Sequence, residues 1–172
     1  MSILTLETQA KIRAEVAAYP KRQTALLPAL KLAQEEVGYL PPEVVAQVAD
    51  LVGVSHADAQ TLTTFYSMLR TEPTGRQRVE VCVQLPCAVA GAERLLRQLG
   101  EALGIKPGET TPDGQVTLIR TPECLGACHR APMCRVNEDY VESLRSPEDR
   151  ARLLERLRGG PLPAGTGGER PA

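Results

Sequence analysis

The sequence has no Trp, one Phe and four Tyr, an aromatic content of 3%. With so few rings, the adjacent pair Phe65-Tyr66 stands out. An excess of one charge is also missing: 20 basic and 21 acidic residues leave a formal net charge of −1. That balance excludes the basic surface that non-specific nucleic-acid binding requires. No apolar run approaches the ~18–20 residues of a membrane span. The start, Met1-Ser2-Ile3-Leu4-Thr5-Leu6-Glu7, lacks the basic segment and apolar stretch of a signal peptide. No G-x-G-x-x-G follows a predicted strand, so a nucleotide or flavin is expected to bind elsewhere. A thioredoxin-type C-x-x-C dithiol is absent as well.

What is present suits one domain with a smaller attachment. The chain has 172 residues, of which 42% are hydrophobic, enough for a core and too many for a disordered chain. It carries five cysteines. Without a secretory signal they are expected in a reducing cytosol, where metal binding or catalysis is the commoner use of cysteine. The odd number calls for an explanation.

Residues 1–75 read as a helical bundle followed by a linker. Leu26, Leu27, Leu30, Ala33 and Val37 share one helix face, with Pro28 near the first turn and Gly38 as the stop. Pro41-Pro42 open the next helix, whose Val44, Val45, Val48, Leu51 and Val52 face one side before Gly53. Ser55 and Asp58 resemble a capping box for a helix running to about Tyr66, and a weaker helix spans about Leu6 to Tyr19. Thr71-Glu72-Pro73-Thr74-Gly75-Arg76 is the linker. Residues 76–158 then read as β-α-β-β-β-α. The alternating valines of Arg78 to Val83 predict a half-buried strand. A single helix with Ala88, Ala92, Leu95, Leu96, Leu99 and Leu103 on one face follows, then strands over Gln115 to Arg120, Met133 to Asn137 and Tyr140 to Glu142. A last helix starts at Ser146-Pro147-Glu148-Asp149 and stops at Gly159. The first strand, its helix and the returning strand imply a parallel crossover. Residues 159–172, with five Gly and three Pro, read as a flexible tail. The fold class is α+β.

Cys82 and Cys87 are separated by four residues, and Cys124 and Cys128 by three. Each pair lies at the end of a predicted strand. If those strands are parallel neighbours, both loops emerge at one sheet edge and four thiolates converge. Structural zinc usually takes C-x2-C knuckles, whereas C-x4-C is familiar from [2Fe-2S] proteins. The flanks Val83-Gln84-Leu85-Pro86, Ala88-Val89-Ala90-Gly91-Ala92 and Leu125-Gly126-Ala127 are uncharged and small or apolar. Such loops can aim N–H groups at sulfur while excluding water, and a weakly solvated site with few cations predicts a low reduction potential. Spacing ranks a [2Fe-2S] cluster first, zinc second and thiol redox chemistry third.

The sequence resembles the small thioredoxin-like [2Fe-2S] subunit, known as the E subunit, of NADH:quinone oxidoreductase (respiratory complex I) over about residues 19–144. The likeness rests on Tyr19-Pro20, Ala25-Leu26-Leu27-Pro28-Ala29-Leu30, Leu32-Ala33-Gln34, Gly38-Tyr39-Leu40-Pro41 and Thr64-Phe65-Tyr66-Ser67. It continues through Val81-Cys82, Cys87, Gly91, Cys124-Leu125-Gly126-Ala127-Cys128, Ala131-Pro132, Asn137 and Tyr140. The resemblance implies a helical bundle followed by a thioredoxin-like ferredoxin domain. It implies that Cys82, Cys87, Cys124 and Cys128 ligate one [2Fe-2S] cluster. The implied role is one-electron transfer, with no catalytic residue of the chain's own. The implied partner is the flavoprotein subunit that binds NADH and FMN, and the implied place is the cytoplasmic face of a bacterial inner membrane, peripherally through the complex. The same bundle and cluster domain occur in the diaphorase subunit of NAD-dependent hydrogenases and formate dehydrogenases, which is the alternative. A free ferredoxin has no need of a bundle of about 70 residues, and a zinc-stabilised assembly module is the remaining reading.

Cys134 departs from the family pattern, where an apolar residue is usual, and reads as a buried small hydrophobe beside Val136. That explains the odd cysteine without a disulfide. His129 is expected to face solvent, and His56 is assigned no role. Phe65 and Tyr66 read as bundle core or as a contact between the two domains. The Ala131-Pro132 bond is expected to be trans, the default, although thioredoxin-like folds often place a cis proline at this point. Arg94, Arg97 and Glu101 read as a solvated helix face.

Overall fold

A computed structural model of the chain describes residues 3–159. Of the tail read over 159–172, all but Gly159 lies outside the described residues. The chain divides into two compact units, the first ending at Pro73 and the second beginning at Thr74.

The first unit holds helices α1 (Leu6–Ala18), α2 (Leu26–Val37), α3 (Pro42–Val52) and α4 (His56–Phe65). Their ends follow local chemistry. Thr5 caps α1 by accepting from the Thr8 amide, and Ser55 caps α4 by accepting from the Asp58 amide at 3.0 Å. Pro28 and Pro42 sit in first turns, where a missing N–H breaks no helical bond. Gly38 and Gly53 end α2 and α3 at φ 91° and 80°, a backbone that L side chains resist. A short 3-10 turn, Arg22–Ala25, precedes α2 and has no counterpart in the sequence reading. Ile12, Leu30, Leu40, Val44, Val45 and Val48 are fully buried at the centre. Phe65 corrects the bundle-core expectation: it is 77% exposed, and only Tyr66 packs against the core, edge-on to the Phe65 ring with centroids 5.1 Å apart. The helix ends at Phe65, so its side chain falls past the last buried turn.

The second unit is a four-stranded sheet of β1 (Gln77–Cys82), β2 (Val116–Thr121), β3 (Cys134–Val136) and β4 (Asp139–Val141), in the order β2-β1-β3-β4. β1 is parallel to β2 and antiparallel to β3, and β3 is antiparallel to β4. Three helices complete it: α5 (Leu85–Val89), α6 (Ala92–Leu103) and α7 (Pro147–Arg158). The single helix expected after β1 is thus two. Gly91, at φ 98°, breaks it between α5 and α6 while the apolar spacing runs on through the break. Leu95, Leu96 and Leu99 of α6 and Leu153 and Leu157 of α7 pack with Val79, Val81, Leu118 and Val136. α7 starts in a full capping box between Ser146 and Asp149.

β1 also corrects a prediction. Its alternating pattern predicts one wet face, yet all six residues are buried. The strand is central, with neighbours on both sides, and its two charges find partners. Glu80 lies 3.7 Å from Arg78 and accepts from Arg135 Nε at 2.5 Å. Pairing of this kind offsets the several kcal/mol of desolvation that an isolated buried charge costs. The Ala131-Pro132 bond is cis, not trans. Long-range contacts flank it: Arg145 Nε donates to the Ala131 carbonyl at 2.8 Å, and the Leu144 amide to the Pro132 carbonyl at 2.9 Å. Among the described residues no helix is long and apolar enough to cross a membrane.

Two substitutions test this packing. Gly100 lies on the buried side of α6, where an added Cβ would stand 2.8 Å from the Ile105 carbonyl oxygen. An exposed helical Gly→Ala change gains up to ~1 kcal/mol. Here overpacking reverses the sign, and Gly100→Ala should destabilise by ~1–3 kcal/mol, read as a lower denaturant midpoint; a raised midpoint would refute the close approach. Cys134 is fully buried among the apolar residues of the sheet core, and desolvation pushes its thiol up to about 12. Cys134→Ser, which buries a hydroxyl there, should cost ~1–3 kcal/mol more than Cys134→Ala, a difference that equilibrium unfolding measures directly.

Candidate functional site

The parallel pairing of β1 and β2 sets Cys82 opposite Thr121 in register, so the chain leaves both strands at the same sheet edge. The first loop runs from Cys82 into α5, which presents Cys87. The second runs from Pro122 through Cys124 to a 3-10 turn, Cys128–Arg130, whose first residue is the fourth thiol. Gln84 ties the loops together through its Nε2, which donates to the Pro122 carbonyl. The Cys82 thiol lies 3.8 Å from the Glu123 carbonyl, and Thr121 Oγ1 donates to Glu123 at 2.8 Å.

The two loops carry the four thiols to the same sheet edge. Cys124 and Cys128 are 3.4 Å apart, sulfur to sulfur. Cys82 lies close enough to influence the acidity of the other three: with burial it raises Cys87, and it acts on Cys124 and Cys128 as well. Among the described residues no three His, Cys, Asp or Glu side chains form a ready trio for one metal ion. The one sulfur pair in direct contact is Cys124 and Cys128, both of the second loop.

The surroundings of the four thiols differ. Cys82 and Cys87 are buried in a small apolar cluster with Ala92, Ala127, Ala131 and Met133, whereas Cys124 and Cys128 are exposed. The expected exclusion of water therefore holds on one side of the site only. The difference shows in acidity. Burial, with the neighbouring Cys82 thiol, pushes Cys87 up to about 11. The Gly126 amide, 3.4 Å from the Cys124 sulfur, lowers that thiol, and Cys124 in turn raises Cys128. Crowded thiols resist ionising together, and a bound cation reverses that, because a coordinating thiol gives up its proton. Four sulfur donors, an apolar backing and an amide aimed at one sulfur fit an iron–sulfur cluster. His129 stands exposed beside Cys128. Cys134 lies in the sheet core and is not one of the four.

Three groups hold the second loop; Tyr140 belongs to the family resemblance, whereas no sequence pattern marked Ser143 or Arg145. Tyr140 Oη donates to the Leu125 carbonyl at 2.5 Å, the Ser143 amide to the Arg130 carbonyl at 2.8 Å, and Arg145 Nε to the Ala131 carbonyl at 2.8 Å.

Comparison with known proteins agrees with this geometry. The sequence model of the thioredoxin-like [2Fe-2S] ferredoxin family matches residues 12–158. The second NADH-quinone oxidoreductase E subunit of Rhizobium meliloti (strain 1021) is 46% identical over 143 residues, 83% of this chain and 82% of the relative. NADH-quinone oxidoreductase subunit 2 of Thermus thermophilus is 42% identical over 146 residues, 83% of this chain and 78% of the relative. Among solved structures, a chain of the NAD+-reducing [NiFe]-hydrogenase in the H2-reduced state superposes with a TM-score of 0.65 at 22% identity. That match covers 78% of this chain and 22% of the longer hydrogenase chain, and it shows a shared fold. A four-thiol edge on a parallel strand pair, in a sequence matched by the family model over nearly its whole described length, makes this chain a member of the thioredoxin-like [2Fe-2S] ferredoxin family.

Proposed function

We propose that this chain is the one-electron carrier subunit of an NADH:quinone oxidoreductase, with Cys82, Cys87, Cys124 and Cys128 as the ligands of one [2Fe-2S] cluster. The observation that carries the reading is that two cysteine-bearing loops leave parallel strands at one sheet edge, with Cys124 and Cys128 3.4 Å apart. Relatives at 46% and 42% identity that bear subunit names of this complex support it over the hydrogenase alternative, which rests on 22% identity.

The group supplies reversible one-electron transfer when bound. The chain's residues supply the rest. Cys82 and Cys87 hold the site from its apolar side, where Met133 and the surrounding alanines keep water away. Cys124 and Cys128 hold it from the exposed side, with the Gly126 amide donating to sulfur. Solvent exclusion and hydrogen bonds to sulfur are two of the levers by which a protein sets such a potential. No hydride acceptor or quinone site is expected on this chain. NADH and FMN belong to a flavoprotein partner, and the chain sits peripherally, on the cytoplasmic face of the membrane that holds the complex.

Purification of the iron-reconstituted chain, alone and co-expressed with the flavoprotein subunit, tests the proposal. We expect two iron and two acid-labile sulfide per chain, a rhombic EPR signal on reduction, and an FMN-containing partner that co-purifies. Serine at any one of Cys82, Cys87, Cys124 or Cys128 should perturb or abolish the spectrum, whereas Cys134→Ala should keep it. One zinc per chain and no iron would sink the cluster, and a chain that co-purifies with no flavoprotein would sink the subunit role.

A further inference from the structure

Tyr140 has no part in ligation, yet it touches the ligand loop at an informative place. Its hydroxyl donates to the Leu125 carbonyl at 2.5 Å. The Gly126 amide donates to the Cys124 sulfur at 3.4 Å. These two bonds lie at opposite ends of one peptide unit, because the carbonyl of residue 125 and the N–H of residue 126 share a plane. Gly126 is at φ 85°, a backbone that lets the next residues turn away while this N–H stays on the sulfur.

We propose that Tyr140 is a positioning residue for the electron-transfer site: it orients and polarises the 125–126 peptide so that its N–H stabilises negative charge on the Cys124 sulfur. The inference rests on the reading of Cys124 as a cluster ligand. An acceptor bond at the carbonyl strengthens the donor at the far end of the same amide, as in any hydrogen-bonded chain. It also fixes the rotation of the peptide plane, which glycine at 126 leaves otherwise free. Donors to ligand sulfurs raise the reduction potential by favouring the more negative, reduced state. Tyr140 acts on the loop from outside the sheet core. It is half exposed, it lies on β4 opposite Arg135, and its ring is absent from the sheet core.

The neighbouring clamp is a built-in control. Arg145 holds the same loop at Ala131, on a peptide that donates to no ligand sulfur. Redox titration followed by EPR on the reconstituted full chain separates the two roles. Tyr140→Phe, which removes only the hydroxyl, should shift the midpoint to more negative potential and change the g-values of the reduced cluster. Arg145→Gln should speed cluster loss in chelator and leave the midpoint in place. A Tyr140→Phe protein that folds but holds no cluster, beside an Arg145→Gln protein that does, supports the same role at its extreme. An unchanged midpoint in Tyr140→Phe overturns the inference, as does an equal shift or loss of cluster in both variants, which would make Tyr140 one clamp among several. Cys124→Ser is the arm that tests the underlying reading: if its spectrum equals that of the unaltered chain, the ligand assignment has failed rather than the part given to Tyr140.

Discussion

Parallel pairing of β1 with β2 is the constraint on which the site depends. Two parallel strands send the chain out at the same edge, and the register that sets Cys82 opposite Thr121 decides how far each loop travels before its second sulfur. The parallel arrangement requires a crossover, supplied here by α5 and α6, and it buries β1 completely. The cost of burying Arg78 and Glu80 is reduced by their mutual contact and by the bond from Arg135 to Glu80. A slip of one residue would turn Val79 and Val81 away from α6 and α7 and carry Cys82 to the opposite face. Core and site are therefore set by the same hydrogen-bond ladder.

Much of this was legible in the chain, and for identifiable reasons. Helix limits in the first unit follow from Pro28, Pro42, Gly38, Gly53 and Ser55, each acting through its nearest neighbours. Cysteine spacing, the alternating valines of β1 and the apolar run of β2 indicated that both cysteine loops leave at one sheet edge, because loop length and strand pattern are local properties. The split between α5 and α6 was not legible: Leu95, Leu96 and Leu99 continue the spacing set by Ala88 and Ala92, and only Gly91 marks the break. The burial of Arg78 and Glu80 was hidden too, since it depends on Arg135, more than fifty residues away. Tyr140 shows the same limit. Its partner is the Leu125 carbonyl, and a backbone acceptor leaves no residue-type signature for a side chain far along the sequence to match.

The two pairs of ligand candidates are held by different physics. Cys82 and Cys87 are placed by regular structure, a strand end and a short helix, and are sealed by apolar contacts. Cys124 and Cys128 lie in a loop with little core of its own. That loop is placed by polar bonds from elsewhere: Gln84 at one end, Tyr140 in the middle, Ser143 and Arg145 at the other. Ser143 reaches Arg130 from a left-handed backbone, φ 56°, uncommon for a residue with a side chain. Rigid packing on one side and a hydrogen-bonded harness on the other make a site whose halves respond differently to change.

The uneven exposure of the four sulfurs gives the isolated chain a vulnerable flank. Peroxide or oxygen arriving from solvent meets Cys124 and Cys128, while Cys82, Cys87 and Cys134 lie behind apolar side chains. Damage begins where thiolate character and access coincide, and Cys124, exposed and with its thiol lowered by the Gly126 amide, combines the two. A protein seated over that flank would serve as a shield against oxidants as well as a conduit for electrons.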